Sequence, residues 1–219
     1  MNIAVVSPHP DDETLGAGGT ILRKKSEGNK VFWLNMTNVS QSEKWDREFI
    51  RRREQQIEKI TEFYQFDSFV DLKYEPSTLE DIRKSDLIEK ISVCFEKLKP
   101  EWIVLPDPND SHKDHRITYE SCMACTKIFR FPYVKRVVTM EILSETEFGN
   151  PDSMFVPNYF VDISDFLEKK VTAMQIYDTE LGSPPFPRST DAIQALATFR
   201  GGMAGCRYAE AYKIVKWIE

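Results

Sequence analysis

The sequence predicts an α/β fold with a mostly parallel sheet and helices on both faces. Two observations carry this expectation. Short apolar runs of strand length alternate with longer segments of helical periodicity over the first two-thirds of the chain, the pattern of successive βαβ units. The two densest clusters of histidine and acid also each follow directly on such an apolar run. In parallel sheets that is the rim where ligands bind, outside the carboxyl ends of the strands. A chain of 219 residues suffices for one full-sized core, so a single domain over residues 1–219 is expected.

The elements follow in order. Ile3 to Val6 is an apolar run closed by Ser-Pro and reads as a buried strand. Residues 16–28 read as a helix, with Leu15, Ile21 and Leu22 on one side. Residues 31–36 form the second strand. Residues 43–64 are charged with spaced apolar positions at Trp45, Phe49, Ile57 and Ile60, a long amphipathic helix. A short third strand is expected over 69–72 and a helix over 85–99, stopped by Pro100. Residues 102–105 are another buried strand, broken by Pro106-Asp107-Pro108-Asn109. The last third is less regular. Strands are expected over 137–143 and 159–163 and a helix over 165–179. A Pro-rich loop follows over 182–189, and Ser189 is placed to cap a helix running toward Phe199.

Composition narrows the class. Apolar residues make up 41% of the chain and charged residues 29%, with a net charge of −6, which is ordinary for a globular protein. No dense basic patch interleaves with aromatics, so no nucleic-acid partner is expected. The run Arg51-Arg52-Arg53 has flanking acids and taken alone reads as a solvated helix face. No apolar run is long enough to cross a bilayer, and no charged n-region precedes a long apolar stretch. Cys94, Cys122, Cys125 and Cys206 are too few and too irregularly placed for a disulfide scaffold. A cytoplasmic protein with reduced thiols is therefore expected.

The chemistry-bearing residues are concentrated. The chain has 3 histidines, His9, His112 and His115, and all lie in acidic clusters. Each alone reads as an ordinary hydrogen-bonded residue near a turn; together they point to a metal. Two His and one Asp, with the fourth position open, suit a catalytic zinc site rather than a closed structural one. Asp11 and Asp12 are neighbours on a turning backbone and so point different ways. One is free to bind the ion while the other faces water. Glu13 reads as a first-turn acid favoured by the helix dipole. A helix starting near Ser111 would put His112 and His115 on one face, with Ser111-x-x-Asp114 resembling a capping box. Asp114 then either caps that helix or holds the imidazole of His112. Gly16-x-Gly18-Gly19 departs from the dinucleotide fingerprint, and three carboxylates precede it, so close packing explains these glycines better than phosphate binding. No Gly-x-Ser-x-Gly elbow occurs.

Ser7-Pro8-His9-Pro10-Asp11-Asp12-Glu13 together with His112-Lys113-Asp114-His115 resembles the PIG-L/LmbE-like family of zinc-dependent N-acetylglucosamine deacetylases. The resemblance extends to Leu15-Gly16-x-Gly18-Gly19, Arg51-x-x-Glu54, Arg200-Gly201 and Tyr208-Ala209-Glu210-Ala211-Tyr212. It implies a Rossmann-like sheet and hydrolytic removal of an N-acetyl group from an amino sugar or sugar conjugate. It also implies a metal site of His9, Asp12 and His115 holding Zn²⁺, or Fe²⁺. Asp11 matches the general base, His112 the histidine that assists at the carbonyl or leaving group, and Asp114 its orienting partner. Arg51 matches a substrate-binding arginine, and Asp110 is placed with it as a substrate-binding residue. The partner is then a small N-acetylated sugar or glycoconjugate. Family members often carry His-x-Ser-Gln where this chain has Tyr177-Asp178-Thr179-Glu180, so the acceptor sugar stays open, with Arg188 a possible contact. Two other readings compete. A phosphoesterase would use the acids of the same region to hold two ions. A non-catalytic sugar-binding relative would have lost a ligand or the base.

Overall fold

The computed structural model describes residues 1–219. In chain order the elements are β1 (Asn2–Ser7), α1 (Asp12–Ser26), β2 (Lys30–Thr37), α2 (Arg47–Tyr64), β3 (Ser68–Tyr74), α3 (Lys84–Leu98) and β4 (Trp102–Pro106). They continue with α4 (Lys113–Ala124), β5 (Arg136–Met140), β6 (Tyr159–Asp162), α5 (Leu167–Ile176), α6 (Thr190–Ala204) and β7 (Ala209–Trp217). The seven strands form one sheet in the order β3-β2-β1-β4-β5-β7-β6. Neighbours from β3 to β5 pair in parallel, and β7 runs antiparallel to both β5 and β6.

Strand alternation builds two cores. Ile3, Val5, Val31, Trp33, Trp102 and Val104 face one side with α1, α2, α5 and α6. Val6, Leu34, Met36, Ile103 and Leu105 face the other with α3 and α4. The side chains of a strand point alternately to the two faces, so apolar residues at successive positions serve both layers, as expected of a parallel sheet covered on both sides.

Three departures from the sequence reading have physical causes. Helix α1 begins at Asp12, not Gly16, because the Asp11 carbonyl accepts Thr14 and Leu15 N–H at 3.0 and 2.9 Å and opens the helix there; the glycines inside it then pack tightly. A Cβ on Gly19 would lie 2.7 Å from Ile163 and one on Gly16 2.6 Å from Met140 Sδ, so these glycines let the helix approach the sheet. Strand β7 was not expected, because charged residues interrupt its apolar pattern. Its Glu210 is buried all the same and accepts Gly19 N–H at 2.8 Å, Thr20 N–H at 2.7 Å and Lys170 Nζ at 2.7 Å. This locks α1 in place. Strand β5 stops at Met140, short of the expected Leu143, because a turn engages Ile142: its N–H donates to Thr146 Oγ1 at 2.9 Å and its carbonyl accepts Thr146 N–H at 2.9 Å. Ser189 does cap α6, accepting Ala192 N–H at 3.1 Å. All four cysteines are free thiols, and Cys122 and Cys125 pack in the core beside α3. No helix is long and apolar enough to cross a membrane.

The topology creates the site. The connection out of β1 leads to β2 on one side, while β4 lies on its other side. Strand order therefore reverses between β1 and β4, and a crevice opens at their carboxyl ends. Residues 8–11 leave β1 at that point, and residues 107–112 leave β4 beside them.

Candidate active site

The turn after β1 is unusual at Asp11, which stands at φ 140° and ψ −28°. A non-glycine residue in that region is strained, and the surroundings hold it there. Its N–H donates to Glu13 Oε2 at 3.0 Å, and its carbonyl accepts from Thr14 and Leu15 at 3.0 and 2.9 Å. Asp11 thus caps α1 through its backbone, and its side chain makes no capping bond. The carboxylate is left to face the crevice.

Asp12, the first residue of α1, turns the other way. Its Oδ2 lies 3.4 Å from His9 Nδ1 and 3.4 Å from His115 Nε2. The separate directions expected for the two aspartates are what the helix start produces. His9, Asp12 and His115 have their ligand atoms within 4.8 Å of one another. The donor set passes a test of fit. An ion bound tetrahedrally at about 2.0–2.1 Å sets its ligands about 3.4 Å apart, the spacing Asp12 Oδ2 keeps from each of the two imidazole nitrogens. His115 Nε2 is fully buried, and apart from Asp12 Oδ2 at 3.4 Å no protein group satisfies it, which is costly unless a proton or an ion occupies that nitrogen.

His9 and His115 are each held from behind by a carboxylate. His9 Nε2 lies 3.1 Å from Asp114 Oδ2, and His115 Nδ1 lies 2.8 Å from Asp110 Oδ2. Such pairs fix the tautomer and make the free nitrogen a better ligand. Without an ion they also attract protons. Burial pulls His9 down, but the bonds to Asp114 and Asp12 outweigh it and raise its pKa to about 9. Burial likewise opposes His115, yet Asp12 and Asp110 raise it to about 10. Burial works against ionised Asp12 too, but His115 and His9 hold its carboxyl well below the usual range.

A second grouping, His9, His112 and Asp114, also brings ligand atoms together, but its atoms are already engaged. Asp114 accepts Ser77 N–H at 2.7 Å and Leu79 N–H at 3.2 Å besides His9. His112 caps α4, its Nδ1 accepting Asp114 N–H at 3.1 Å.

The triad opens into a cleft of about 330 Å³, within the size range of small-molecule sites. Asp11, His112, Arg53, Glu145, Glu180 and Arg188 line it. Burial and the neighbouring Asp12 and Glu180 carboxylates push Asp11 well above the usual carboxylate range, against the pull of Arg188 and Arg53. Burial, with His9 and His115 close by, lowers the pKa of His112. Arg188 Nη1 stands 3.6 Å from Asp11 Oδ2, and its Nη2 stands 3.3 Å from Glu180 Oε2. Glu180 also pairs with Arg53, whose Nη1 donates to Pro10 O at 2.9 Å. Glu180, the last residue of Tyr177-Asp178-Thr179-Glu180, is therefore built into the cleft wall.

Four sequence-based assignments change. Arg51 is exposed and does not line the cleft, whereas Arg53 is buried and does. Residues two apart on a helix face nearly opposite ways, and Arg53 shares its side with Phe49 and Ile57. The stripe of apolar residues on α2 was the signal that would have selected it. Asp110 is fully buried and bonds His115 and Thr146 Oγ1 at 2.8 Å each, so it stands behind His115 rather than in the cleft. Asp114 holds His9, with its Oδ2 4.0 Å from His112 Nδ1. Glu13 does more than favour a helix dipole. It accepts from Asp11 N, from Thr14 Oγ1 at 2.7 Å and from the Tyr177 hydroxyl at 3.0 Å. Burial pushes its carboxyl up to about 7 against the pull of these donors.

Comparison with known proteins identifies the family and the fold. The family model described as PIG-L, GlcNAc-PI de-N-acetylase, matches residues 4–126. The diacetylchitobiose deacetylase of Thermococcus kodakarensis is 26% identical over 225 residues, covering 99% of this chain and 84% of that protein. The structure of N,N'-diacetylchitobiose deacetylase from Pyrococcus horikoshii superposes with a TM-score of 0.79 at 23% identity, over 98% of this chain and 83% of that one. GalB, the 4-carboxy-2-hydroxymuconate hydratase of Pseudomonas putida KT2440, shares the fold with a TM-score of 0.74 at 17% identity, over 98% and 96%. The fold therefore carries more than one reaction, and the reaction must be argued from the site.

Proposed function

The chain belongs to the PIG-L family of GlcNAc-PI de-N-acetylases, and from that premise we propose that it hydrolyses the N-acetyl group of an amino sugar or sugar conjugate. The observation that carries the proposal is the division of labour at the start of α1. Asp12 converges with His9 and His115, while Asp11, held at φ 140°, presents to the cleft a carboxylate that no cap engages.

His9, Asp12 and His115 would hold the ion, and we propose Zn²⁺; Fe²⁺ is compatible with the same ligands. The ion, when bound, makes water acidic enough to attack at neutral pH and polarises the amide carbonyl. Asp11 accepts the proton of the attacking water, a task suited to a carboxylate of raised pKa. His112, on the same cleft, donates to the carbonyl oxygen as negative charge develops there. Asp11 then returns its proton to the nitrogen as the C–N bond breaks. One water is consumed, and acetate and a free amine leave. Arg188 steers Asp11 by charge, and Asp110 and Asp114 keep the two histidines turned toward the ion.

The test is a panel of N-acetylated amino sugars and glycosides, with acetate and primary amine measured in the same tube. Equal amounts of both are expected. The Asp11→Asn variant should keep its metal and lose about 10²- to 10⁴-fold in turnover, the usual contribution of a positioned base. Undiminished turnover in that variant would remove Asp11 from the mechanism. Release of inorganic phosphate from a phosphorylated sugar, without acetate from the panel, would favour the phosphoesterase reading.

A further inference from the structure

Trp45 is 46% exposed and lines the mouth of the cleft. It precedes α2, whose N-cap Asp46 accepts Phe49 N–H at 2.8 Å, and this bond fixes where the chain enters the helix. The indole stacks on Phe49 with ring centroids 4.4 Å apart and planes 18° from parallel. Phe49 in turn lies 5.8 Å from the Arg53 guanidinium, which reaches the Asp11 turn through Pro10 O. A ladder of flat groups thus runs from the reacting end of the cleft to its mouth.

The cleft is lopsided. Apart from prolines, its apolar lining is Val39, Trp45 and Phe49. The rest is carboxylates, arginines, histidine and small polar groups. A sugar ring matches such a lining, because it offers a C–H face to an aromatic surface and hydroxyls to polar neighbours. An alkyl chain would leave the polar side unpaired, at a cost. The two arginines of the cleft are already paired with Glu180, and Lys44 beside Trp45 is near Glu75 at 3.7 Å. A diphosphate would find no uncommitted cation there.

Position along the ladder says which ring Trp45 meets. With the acetamido group at His9, Asp12 and His115, its own ring would lie along the part of the lining that Arg53 and Phe49 supply beside the Asp11 turn. Trp45 is one stacked ring further out. Building on the deacetylase reading above, we propose that Trp45, backed by Phe49, is a specificity-determining residue that stacks on an uncharged second sugar ring attached to the acetylated one. The protein then favours N-acetylated disaccharides over N-acetylglucosamine itself.

The experiment compares kcat/KM for acetate release from an N,N′-diacetylated glucosamine disaccharide and from N-acetylglucosamine, using the metal-loaded full chain. Trp45→Ala should lower the disaccharide-to-monosaccharide ratio about 3- to 10-fold, the scale of one aromatic contact, and Trp45→Phe should restore most of it. Far-UV circular dichroism checks that both variants fold, as an exposed position allows. An unchanged ratio in folded Trp45→Ala overturns the proposal. Should the wild type release acetate from neither sugar, the deacetylase reading fails separately, and calorimetric binding of the de-N-acetylated disaccharide decides the platform. Weaker binding by Trp45→Ala then supports it; equal binding, or none by the wild type, overturns it.

Discussion

The backbone N–H of Asp11 donates to Glu13 Oε2 at 3.0 Å, and that bond holds Asp11 at φ 140°. Two residues apart in sequence, they divide one task. Glu13 bears the cost of a strained turn, and Asp11 keeps a carboxylate that no cap consumes. Glu13→Ala would leave three buried donors without their acceptor, which costs about 1–3 kcal/mol for each group left unsatisfied. The variant should unfold at lower urea concentration and lose kcat more than it gains KM. Glu13→Gln, which still accepts from Asp11 N–H, should recover part of both. Wild-type kcat in a folded Glu13→Ala protein would show that the turn needs no such support.

The carboxylates behind the histidines make a second prediction. Asp110 and Asp114 each touch the ring nitrogen that faces away from the proposed ion. Asp110→Asn and Asp114→Asn should each weaken metal binding about 10- to 100-fold, the usual effect of such orienting partners. Competition with a chelating dye measures this. Unchanged affinity in both variants would mean that the two acids serve only packing.

Proton release gives a third. In the metal-free protein His9 is raised to about 9 and His115 to about 10, so both carry protons at neutral pH. Ligation needs them neutral, so metal binding near pH 7 should release up to two protons per ion. Affinity should rise with pH until both have titrated. Calorimetry in buffers of different ionisation enthalpy counts the protons; zero release at pH 7 would show that both histidines are already neutral in the metal-free protein. The raised values also set a stability window. The protonated pair stabilises the metal-free fold fully below about 6.5, the unperturbed value, and this contribution fades as pH rises through about 9 to 10.

Much of this was legible in the sequence. Apolar runs at 3–6, 31–36 and 102–105 located the central strands, and the histidine-acid clusters following two of them located the rim. Strand β7 escaped because Glu210, Lys213 and Lys216 break its apolar pattern, and the partners that bury Glu210 lie on distant elements. The pairing of Asp114 with His9 spans 105 residues and depends on how α4 meets the β1 turn. Local spacing pointed to His112 instead. The strain at Asp11 is equally invisible in sequence, since no glycine marks the positive φ.

Arg51 and Arg53 supply a fourth prediction, and here the periodicity of α2 decides between them. Arg51 is exposed, so Arg51→Ala should change kcat/KM and stability little. Arg53 is 6% exposed and ties Pro10 O to Glu180, so Arg53→Ala should raise KM and lower stability together. It would leave the half-buried Glu180 with Arg188 as its remaining partner. A larger loss in Arg51→Ala than in Arg53→Ala would reverse the assignment.

The most direct test of the central claim is a titration. Metal-stripped protein receives Zn²⁺ in measured fractions of an equivalent, and the initial rate of acetate release from an N-acetylated glucosamine disaccharide is followed at each addition. The account predicts a linear rise that breaks at one equivalent per chain, with equal acetate and amine. A break at two equivalents, or a rate indifferent to added metal, would contradict a single ion held by His9, Asp12 and His115.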